Sequence, residues 1–340
     1  MLRFRQLKHR YQMSFLIVFL IICLSLVSCS ETSKENKTFK VGILNGMTYI
    51  VDIVAGFKAE MTTLGYIEGK NIVYDIHYTN FEPDKEKQIL KKFITDKVDL
   101  ILTCPTEASM SAKAVTKGTN IPILFSFAFT EDTGLVESVS KPGGKITGVR
   151  YPGPDIAIKR LEIMLELVPH AKKFWVPYQR GYPSVNSQIL ALKKTEALLG
   201  IMIEDFPADN AAELEAHFAK RSKWENIGID AILFIAEPLA VTADAFVVMD
   251  KFAIKHKIPI GGAMIIVDDY GSIFGVSANI VKTGEQAAII ADKILKGTPA
   301  GTIPVISSEN YLEINYNAAK QFGIEINEGL LSQADKIYRK

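Results

Sequence analysis

The sequence predicts an α/β protein made of two Rossmann-like lobes, each with a parallel sheet, joined by a multi-strand hinge. An apolar run at residues 99–105 ends at a proline, and a helical segment follows it. The same pattern returns at residues 230–238. Such runs are typical of strands buried on both faces of a parallel sheet. Because these sheets bind ligands where their strands end, we expect the two lobes to face each other across a ligand.

The order of elements around the two runs strengthens this prediction. Each run follows a helix that ends in Leu-Gly, and each precedes a strand that begins with Ile-Pro. A chain of 340 residues is long enough for about two domains. The net charge is +1, and the lysines are scattered over helix faces. The sequence therefore gives no basic groove for nucleic acid.

The first 28 residues have the pattern of an export signal peptide. Residues 1–12 contain four basic side chains and no acidic one, and residues 13–28 are almost wholly apolar. A basic start followed by a short apolar core is typical of such signals. The apolar core is short for a transmembrane helix, which needs about 20 residues. We therefore expect export, with an uncleaved membrane anchor as the alternative.

The signal ends in Leu-Val-Ser-Cys at residues 26–29, which resembles the bacterial lipobox. The resemblance implies that Cys29 carries acyl chains such as palmitate and begins the mature protein. Residues 29–38 then form a polar tether. The expected location is the cell envelope, outside the cytoplasm and anchored to a membrane by lipid. A plain signal peptide, without lipidation, is the alternative.

The cysteines agree with an exported chain that has no disulfide. Cys23 lies within the signal and Cys29 is assigned to lipid, which leaves Cys104. No His/Cys cluster has the spacing of metal ligands. We therefore expect no disulfide in the mature chain, no metal and no cofactor.

In the first lobe, strands and helices alternate as a parallel sheet with right-handed crossovers requires. Strands are predicted at residues 41–44, 71–78, 99–104 and 121–127. Helices are predicted up to residue 64 and at residues 83–96 and 106–117. The loops after these strands carry aromatic and polar side chains, as a cleft for a small molecule does. The candidate ligand contacts in these loops are Asn45, Thr48, Tyr49, Thr106, Glu107, Phe127 and Phe129, with core packing as the alternative for Phe127.

The segment Lys-Pro-Gly-Gly-Lys-Ile-Thr-Gly-Val at residues 141–149 resembles the connection between lobes in a family of bacterial ABC-transporter substrate-binding lipoproteins, which includes tryptophan-binding members. Further stretches match in the same order, at residues 65–71, 97–102, 121–125 and 291–297. The resemblance covers about residues 40–325. It implies two lobes of periplasmic-binding-protein type I-like fold, hinged by crossing strands.

The resemblance also implies site residues. Thr106 coincides with a loop threonine of the family, and Asn186 with an asparagine of its second lobe. The sequence departs from family positions that are usually acidic or polar at residues 129–130, 237–239 and 261–263. A buried ligand ammonium needs a carboxylate partner. Either Glu107 or Glu237 replaces the missing acids, or the ligand is not an α-amino acid and these glutamates are solvated loop charges.

The second lobe is predicted from the same alternation. Strands are expected at residues 173–178, 201–206 and 230–237. Helices are expected at residues 154–168 and 211–224, with further ones ending at residues 199 and 257. Candidate ligand contacts are Tyr178, Tyr182, Asn186 and Glu237, and Arg180 is either a carboxylate clamp or a free surface charge.

The chain then returns to the first lobe. Residues 271–276 are predicted to cross back as a strand. By resemblance, the helix at 282–296 packs on the first lobe, and the strand at 309–315 belongs to the second. The expected domains are 39–149 plus about 278–304, and 150–277 plus about 305–327, with a tail at 328–340.

Three functions fit this architecture: delivery of a solute to a permease, presentation of a solute to a signalling protein, and catalysis. No Gly-x-Gly-x-x-Gly loop, Walker loop or Gly-x-Ser-x-Gly elbow is present. The histidines fall outside the predicted strand-end loops. We therefore predict a protein without catalytic residues that captures a small molecule of aromatic or amino-acid-like type and delivers it to an ABC permease.

Overall fold

The computed structural model of the chain describes residues 37–46, 50–262, 266–267 and 270–339. The described residues from Phe39 onward belong to one compact unit. The predicted signal peptide, Cys29 and the tether up to residue 36 lie outside the described residues, as do Thr48 and Tyr49.

The strands, in chain order, are β1 (Phe39–Asn45), β2 (Ile72–Tyr78), β3 (Leu100–Cys104), β4 (Ile123–Ala128), β5 (Ile146–Arg150), β6 (Lys173–Gln179), β7 (Met202–Ala208), β8 (Ala231–Leu233), β9 (Ile260–Gly261), β10 (Ile266–Val267), β11 (Tyr270–Gly271), β12 (Phe274–Ala278), β13 (Ile306–Ser307), β14 (Asn310–Asn315) and β15 (Lys336–Tyr338).

The α-helices are α1 (Val51–Thr63), α2 (Pro83–Thr95), α3 (Thr106–Val115), α4 (Gly153–Leu167), α5 (Val185–Lys193), α6 (Glu196–Leu199), α7 (Ala211–Arg221), α8 (Ala243–His256), α9 (Ile280–Leu295), α10 (Tyr316–Gln321) and α11 (Glu328–Gln333). Short 3-10 helices occupy Pro238–Val241 and Ala300–Thr302. Among the described residues, no helix combines the length and the apolar character that crossing a membrane requires.

The first lobe is built on a six-stranded sheet in the order β13-β5-β4-β3-β1-β2. All neighbouring strands are parallel. The run predicted at residues 99–104 forms β3 in the middle of the sheet, and all five of its residues are buried. The direction of winding reverses between β1 and β3, so the loops that leave these strands diverge and open a crevice.

The second lobe repeats this arrangement with a four-stranded parallel sheet in the order β7-β6-β8-β9. Its winding reverses between β6 and β8, as the first sheet's does between β1 and β3. A bridge between Gly262 and Gly275 links it to a three-stranded sheet in the order β12-β14-β15. The predicted α/β class, with two parallel sheets, is therefore confirmed.

The second apolar run forms a shorter strand than the predicted one at residues 230–237, because β8 ends at Leu233. The Phe234 N–H still donates to the Gly261 carbonyl of β9 at 2.9 Å, and beyond it the partner of the chain is Gln188 of α5. Its side-chain amide accepts a hydrogen bond from the Ala236 N–H and donates one to the Ala236 carbonyl, both at 2.9 Å. A side chain thus replaces the neighbouring strand beyond β8.

Within the described residues, the chain passes between the lobes at three places: after β5, between β12 and α9, and between β13 and β14. Backbone bonds hold these crossings side by side. The Ser308 N–H donates to the Arg150 carbonyl at 2.9 Å, and the Asn279 N–H donates to the Glu309 carbonyl at 2.7 Å. The Arg150 side chain adds ion pairs with Glu131 and Asp155. Three adjacent segments of this kind form a hinge that allows rigid-body closure.

Candidate ligand-binding site

The strand-end loops of the two parallel sheets and the crossing segments enclose a cavity of about 1140 Å³. The first lobe contributes Glu107, Phe127 and Phe129 to its lining, and the second contributes Tyr182 and Glu237. These five residues are sequence-predicted contacts that the structure brings together. Most of the remaining lining is apolar, as is usual for cavities that hold small molecules.

Three aromatic rings form one wall of the cavity. The rings of Phe127 and Phe129 each lie 5.1 Å from the ring of Tyr151, which follows β5. Phe127 has a φ of 57°, in the left-handed region, at a bulge where the register between β4 and β5 shifts. A bulky residue seldom adopts this conformation. The bulge is therefore the local feature that places the Phe127 side chain on the cavity wall.

Thr106 positions this wall from behind. Its hydroxyl oxygen accepts a hydrogen bond from the Phe129 N–H at 2.9 Å, which ties the loop after β3 to the loop after β4. Thr106 itself is not among the lining residues of the cavity. In this structure, its contact with the site runs through the backbone of Phe129.

Glu107 and Tyr182 meet across the cavity. Glu107 lies in the first turn of α3, and Tyr182 lies in the loop after β6 in the second lobe. The Tyr182 hydroxyl donates to the Glu107 carboxylate at 3.4 Å. This long hydrogen bond joins the two lobes through side chains that line the cavity.

Glu237 is buried at 6% exposure, and its carboxylate caps the 3-10 helix that follows it. One oxygen accepts from the N–H groups of Gln179 and Leu239, both at 2.8 Å. The other oxygen accepts from the Ala240 N–H at 2.6 Å. Burial raises the pKa of Glu237 to about 7, although these donors and Arg160 favour its charged form.

Arg160 also lines the cavity, although it was not among the residues predicted from the sequence. It lies in α4 at 3% exposure. Its guanidinium donates to the carbonyls of Val276 and Phe234. Burial lowers the pKa of Arg160. The sequence carries a signal for it, because Arg160 occupies the buried stripe of α4 together with Ile156 and Ala157.

The other predicted residues that the structure describes lie outside the cavity lining. Asn45 is fully buried at the end of β1, and Asn186 is exposed in the first turn of α5. The Tyr178 hydroxyl donates to Asp205 at 3.2 Å. Burial, followed by the Asp205 charge, raises the pKa of Tyr178. Arg180 is exposed and paired with acidic side chains of the second lobe, Asp209 at 3.1 Å and Glu213 at 2.6 Å.

The lining also includes Phe81, a second residue that was not predicted from the sequence. Phe81 follows β2 with a φ of 59°, directly after Asn80 with a φ of 50°. Two successive left-handed residues form a tight turn, and aromatic residues at such positions are uncommon. This turn places the Phe81 ring at the cavity. No periodic pattern in the sequence marks such a turn, so the position of the ring was not predictable.

The arrangement is suited to binding a largely apolar molecule. None of the four histidines that the structure describes is among the lining residues. The described residues also contain no group of three or more His, Cys, Asp or Glu side chains that could hold a metal ion. What the cavity offers is an aromatic wall, one buried guanidinium and carboxylates that are already hydrogen-bonded.

Known proteins resemble this chain in both sequence and structure. The chain is 28% identical over 302 residues to a tyrosine-binding protein of Clostridioides difficile, covering 86% of this chain and 83% of that protein. It resembles the crystal structure of a conserved domain protein from Vibrio cholerae, with a TM-score of 0.71 and 26% identity over 88% of this chain and all of that one.

A second solved structure is an ABC domain from Streptococcus pneumoniae in complex with L-Trp. It matches with a TM-score of 0.72 and 22% identity, covering 88% of this chain and all of that one. The model of the family described as ABC transporter substrate binding protein matches residues 46–338. This chain is therefore a member of the ABC transporter substrate-binding protein family.

Proposed function

We propose that this protein captures an aromatic or otherwise largely apolar small molecule between its two lobes and delivers it to the permease of an ABC transporter. The observation that carries the proposal is the aromatic-walled cavity at the strand ends of both sheets. The proposed contacts are Glu107, Phe127, Phe129, Tyr182 and Glu237. Tyr49 and Thr48 stay predictions, since they lie outside the described residues.

Identification of the solute is the first test. Mass spectrometry of small molecules that co-purify with the protein gives candidates, and thermal shift across aromatic, purine and carboxylate libraries ranks them. A true ligand at 100 times its dissociation constant stabilises the folded protein by about 2.7 kcal/mol. Failure of every compound in such a set to raise the melting temperature would contradict solute capture.

Delivery requires a second experiment. We expect cells that lack this protein to lose uptake of the radiolabelled solute, and the wild-type gene to restore it. The uptake must also depend on the permease. Uptake that is unchanged in the deletion strain would exclude delivery. Conversion of the bound solute into a new product by the purified protein would instead support an exported enzyme.

We further propose that lipid on Cys29 holds the protein at a membrane outside the cytoplasm. The support is the basic and apolar leader followed by Leu-Val-Ser-Cys at residues 26–29. Two or three acyl chains anchor a protein firmly, because each buried methylene contributes about 0.8 kcal/mol. Cys29→Ala is expected to abolish labelling by a palmitate analogue and to release the protein from membranes. Cys23→Ala is the matched control.

A further inference from the structure

We propose that Arg160 is a specificity residue that binds an acidic group of the solute, so that the transported molecule carries a carboxylate. The inference rests on the proposed function, since it names the chemistry of a solute held in the same cavity. It depends on one buried guanidinium, its hydrogen-bond partners and the groups beside it.

The partners of Arg160 are neutral. Nε and Nη2 donate to the Val276 carbonyl at 2.9 and 2.6 Å, and Nη1 donates to the Phe234 carbonyl at 3.2 Å. Nη2 also lies 3.4 Å from the Tyr151 hydroxyl. No carboxylate of the described residues lies within 4.0 Å of the guanidinium. A buried charge without an ionic partner is costly unless something else compensates it.

The nearest candidate for compensation is Glu237, and its carboxylate is directed to other groups. Both of its oxygens accept backbone N–H bonds, as described above. Glu237 acts on Arg160 only through longer-range attraction. A ligand carboxylate in the cavity would give the guanidinium the direct partner that it lacks among the described residues.

The surroundings of Arg160 supply further donors. Nη1 carries two N–H groups, and among the described residues it contacts only the Phe234 carbonyl. The Tyr151 hydroxyl, which also lines the cavity, can accept from Arg160 while it donates to a carboxylate. Ile280 and Val281, the first residues of the 16-residue helix α9, line the same cavity. The positive end of that helix dipole also favours an anion.

The other charged lining residues limit where the acidic group lies. Glu107 is on the first lobe and bonded to Tyr182, and Glu313 on β14 accepts from the Tyr338 hydroxyl at 3.0 Å. Either carboxylate would repel an anion placed beside it. Glu237 lies nearer to Arg160, but three backbone N–H groups already compensate its carboxylate. The acidic group is therefore assigned to the region of Arg160, Tyr151 and the start of α9, on the side of the guanidinium away from Glu237.

The first test uses the wild-type protein and matched probes that differ at one group. The pairs are L-tyrosine with L-tyrosinamide, and 3-(4-hydroxyphenyl)propionate with its primary amide, measured by calorimetry at pH 7. We expect each acid to bind about 10- to 100-fold more tightly than its amide, the range that one charge-assisted pair supports. Equal binding of acid and amide would overturn the inference while solute capture stands. Binding of none of the four would count against capture of an aromatic solute, and against this inference with it.

The second test assigns the selectivity to Arg160. Tyr151→Phe removes one hydroxyl and Arg160→Gln removes the charge, and Arg180→Gln is the control because it removes an exposed arginine outside the cavity. A purely structural role would weaken acid and amide equally. We expect Arg160→Gln to reduce the acid-to-amide affinity ratio to about 1, Tyr151→Phe to reduce it several-fold, and Arg180→Gln to leave it unchanged. A ratio that persists in folded Arg160→Gln would overturn the assignment. If Arg160→Gln does not fold, two results together overturn the assignment. The wild type binds acid and amide equally, and Tyr151→Phe leaves the acid-to-amide affinity ratio unchanged.

Discussion

At the scale of single residues, Phe127 combines an unfavourable backbone conformation with a place on the cavity wall. A left-handed conformation costs a residue with a Cβ atom about 1–2 kcal/mol relative to the right-handed one. Phe127 keeps it at φ 57° because the bulge between β4 and β5 holds it there. Its ring packs against Tyr151 at 5.1 Å. Such local strain is commonly found at binding sites.

Two substitutions separate the backbone cost from the value of the ring. Phe127→Ala removes the ring and keeps the strain, whereas Phe127→Gly removes both. We expect both variants to bind solute more weakly than the wild type. We expect the free energy of unfolding of Phe127→Gly to equal that of Phe127→Ala or to exceed it by about 1 kcal/mol. Urea denaturation and calorimetry measure the two quantities. A Gly variant that is clearly less stable than the Ala variant would show that strain at residue 127 is not the governing cost.

Glu237 makes the stability of the protein depend on pH. Its folded-state pKa of about 7 lies above the ordinary 4.5, so the folded protein binds more protons than the unfolded chain between these values. The stabilisation that this group contributes is fully present below about pH 4.5 and is lost as the pH rises through 7. Asp250, whose burial raises its pKa to about 6, acts in the same direction.

Glu237→Gln isolates this contribution. At pH 5 the folded wild type carries a protonated Glu237, whose hydroxyl oxygen can still accept a hydrogen bond, whereas the amide nitrogen of Gln cannot. One of the N–H groups of Gln179, Leu239 and Ala240 therefore loses its acceptor, and we expect about 1–3 kcal/mol lower stability at pH 5. The difference between wild type and variant is then expected to shrink as the pH rises from 5 to 8, measured by urea denaturation at each pH. A difference that stays constant over this range would contradict the raised pKa.

At the scale of elements, α9 shows how a segment late in the chain completes the first lobe. It packs against α1 so closely that a Cβ atom on Gly284 would lie 2.0 Å from the Ile53 carbonyl oxygen. A Cβ atom on Gly56 would lie 2.3 Å from the Val281 carbonyl oxygen. The two glycines thus allow the helix backbones to approach where the returning chain meets the first lobe.

Substitution of Gly284 by alanine is therefore expected to destabilise the protein, despite the better helix propensity of alanine. The contact is with backbone, so relief requires the helices to separate, and we expect a loss of about 1–3 kcal/mol. The matched control is Ile289→Ala on the same helix, where the side chain is 46% exposed. Thermal and urea unfolding compare the two. Equal stability of Gly284→Ala and wild type would mean that the helix interface is not tightly packed.

The elements were the part of the structure most open to prediction from sequence. Buried parallel strands such as β3 are apolar along their length, and Pro83 marks the first turn of α2, so both patterns are local. The end of β8 was not predictable in the same way, because Gln188 of another element takes the place of a neighbouring strand. The position of Arg160 at the cavity was not predictable for a related reason. The carbonyls to which its guanidinium donates lie 74 and 116 residues away along the chain.

At the scale of the whole molecule, the two lobes share a strand order, a hinge and a cavity. The three crossings are joined by backbone hydrogen bonds, so motion between the lobes can concentrate there while each sheet stays intact. A solute that contacts loops of both lobes binds the closed arrangement better than the open one and shifts the population toward it. The Tyr182–Glu107 bond belongs to this arrangement because it spans the lobes.

Tyr182→Phe tests whether this bond retains the solute. The variant keeps the aromatic ring on the cavity wall and removes only the hydroxyl, so the fold and the association rate are expected to change little. Loss of a cross-cleft bond to a charged group is expected to raise the dissociation rate of the solute by about 2- to 10-fold, because related complexes differ mostly in that rate. Stopped-flow fluorescence measures it. Tyr66→Phe is the control, since it removes a hydroxyl that donates to Asp292 at 3.0 Å within the first lobe. If both variants release the solute at the wild-type rate, the bond between Tyr182 and Glu107 has no part in holding the cleft closed.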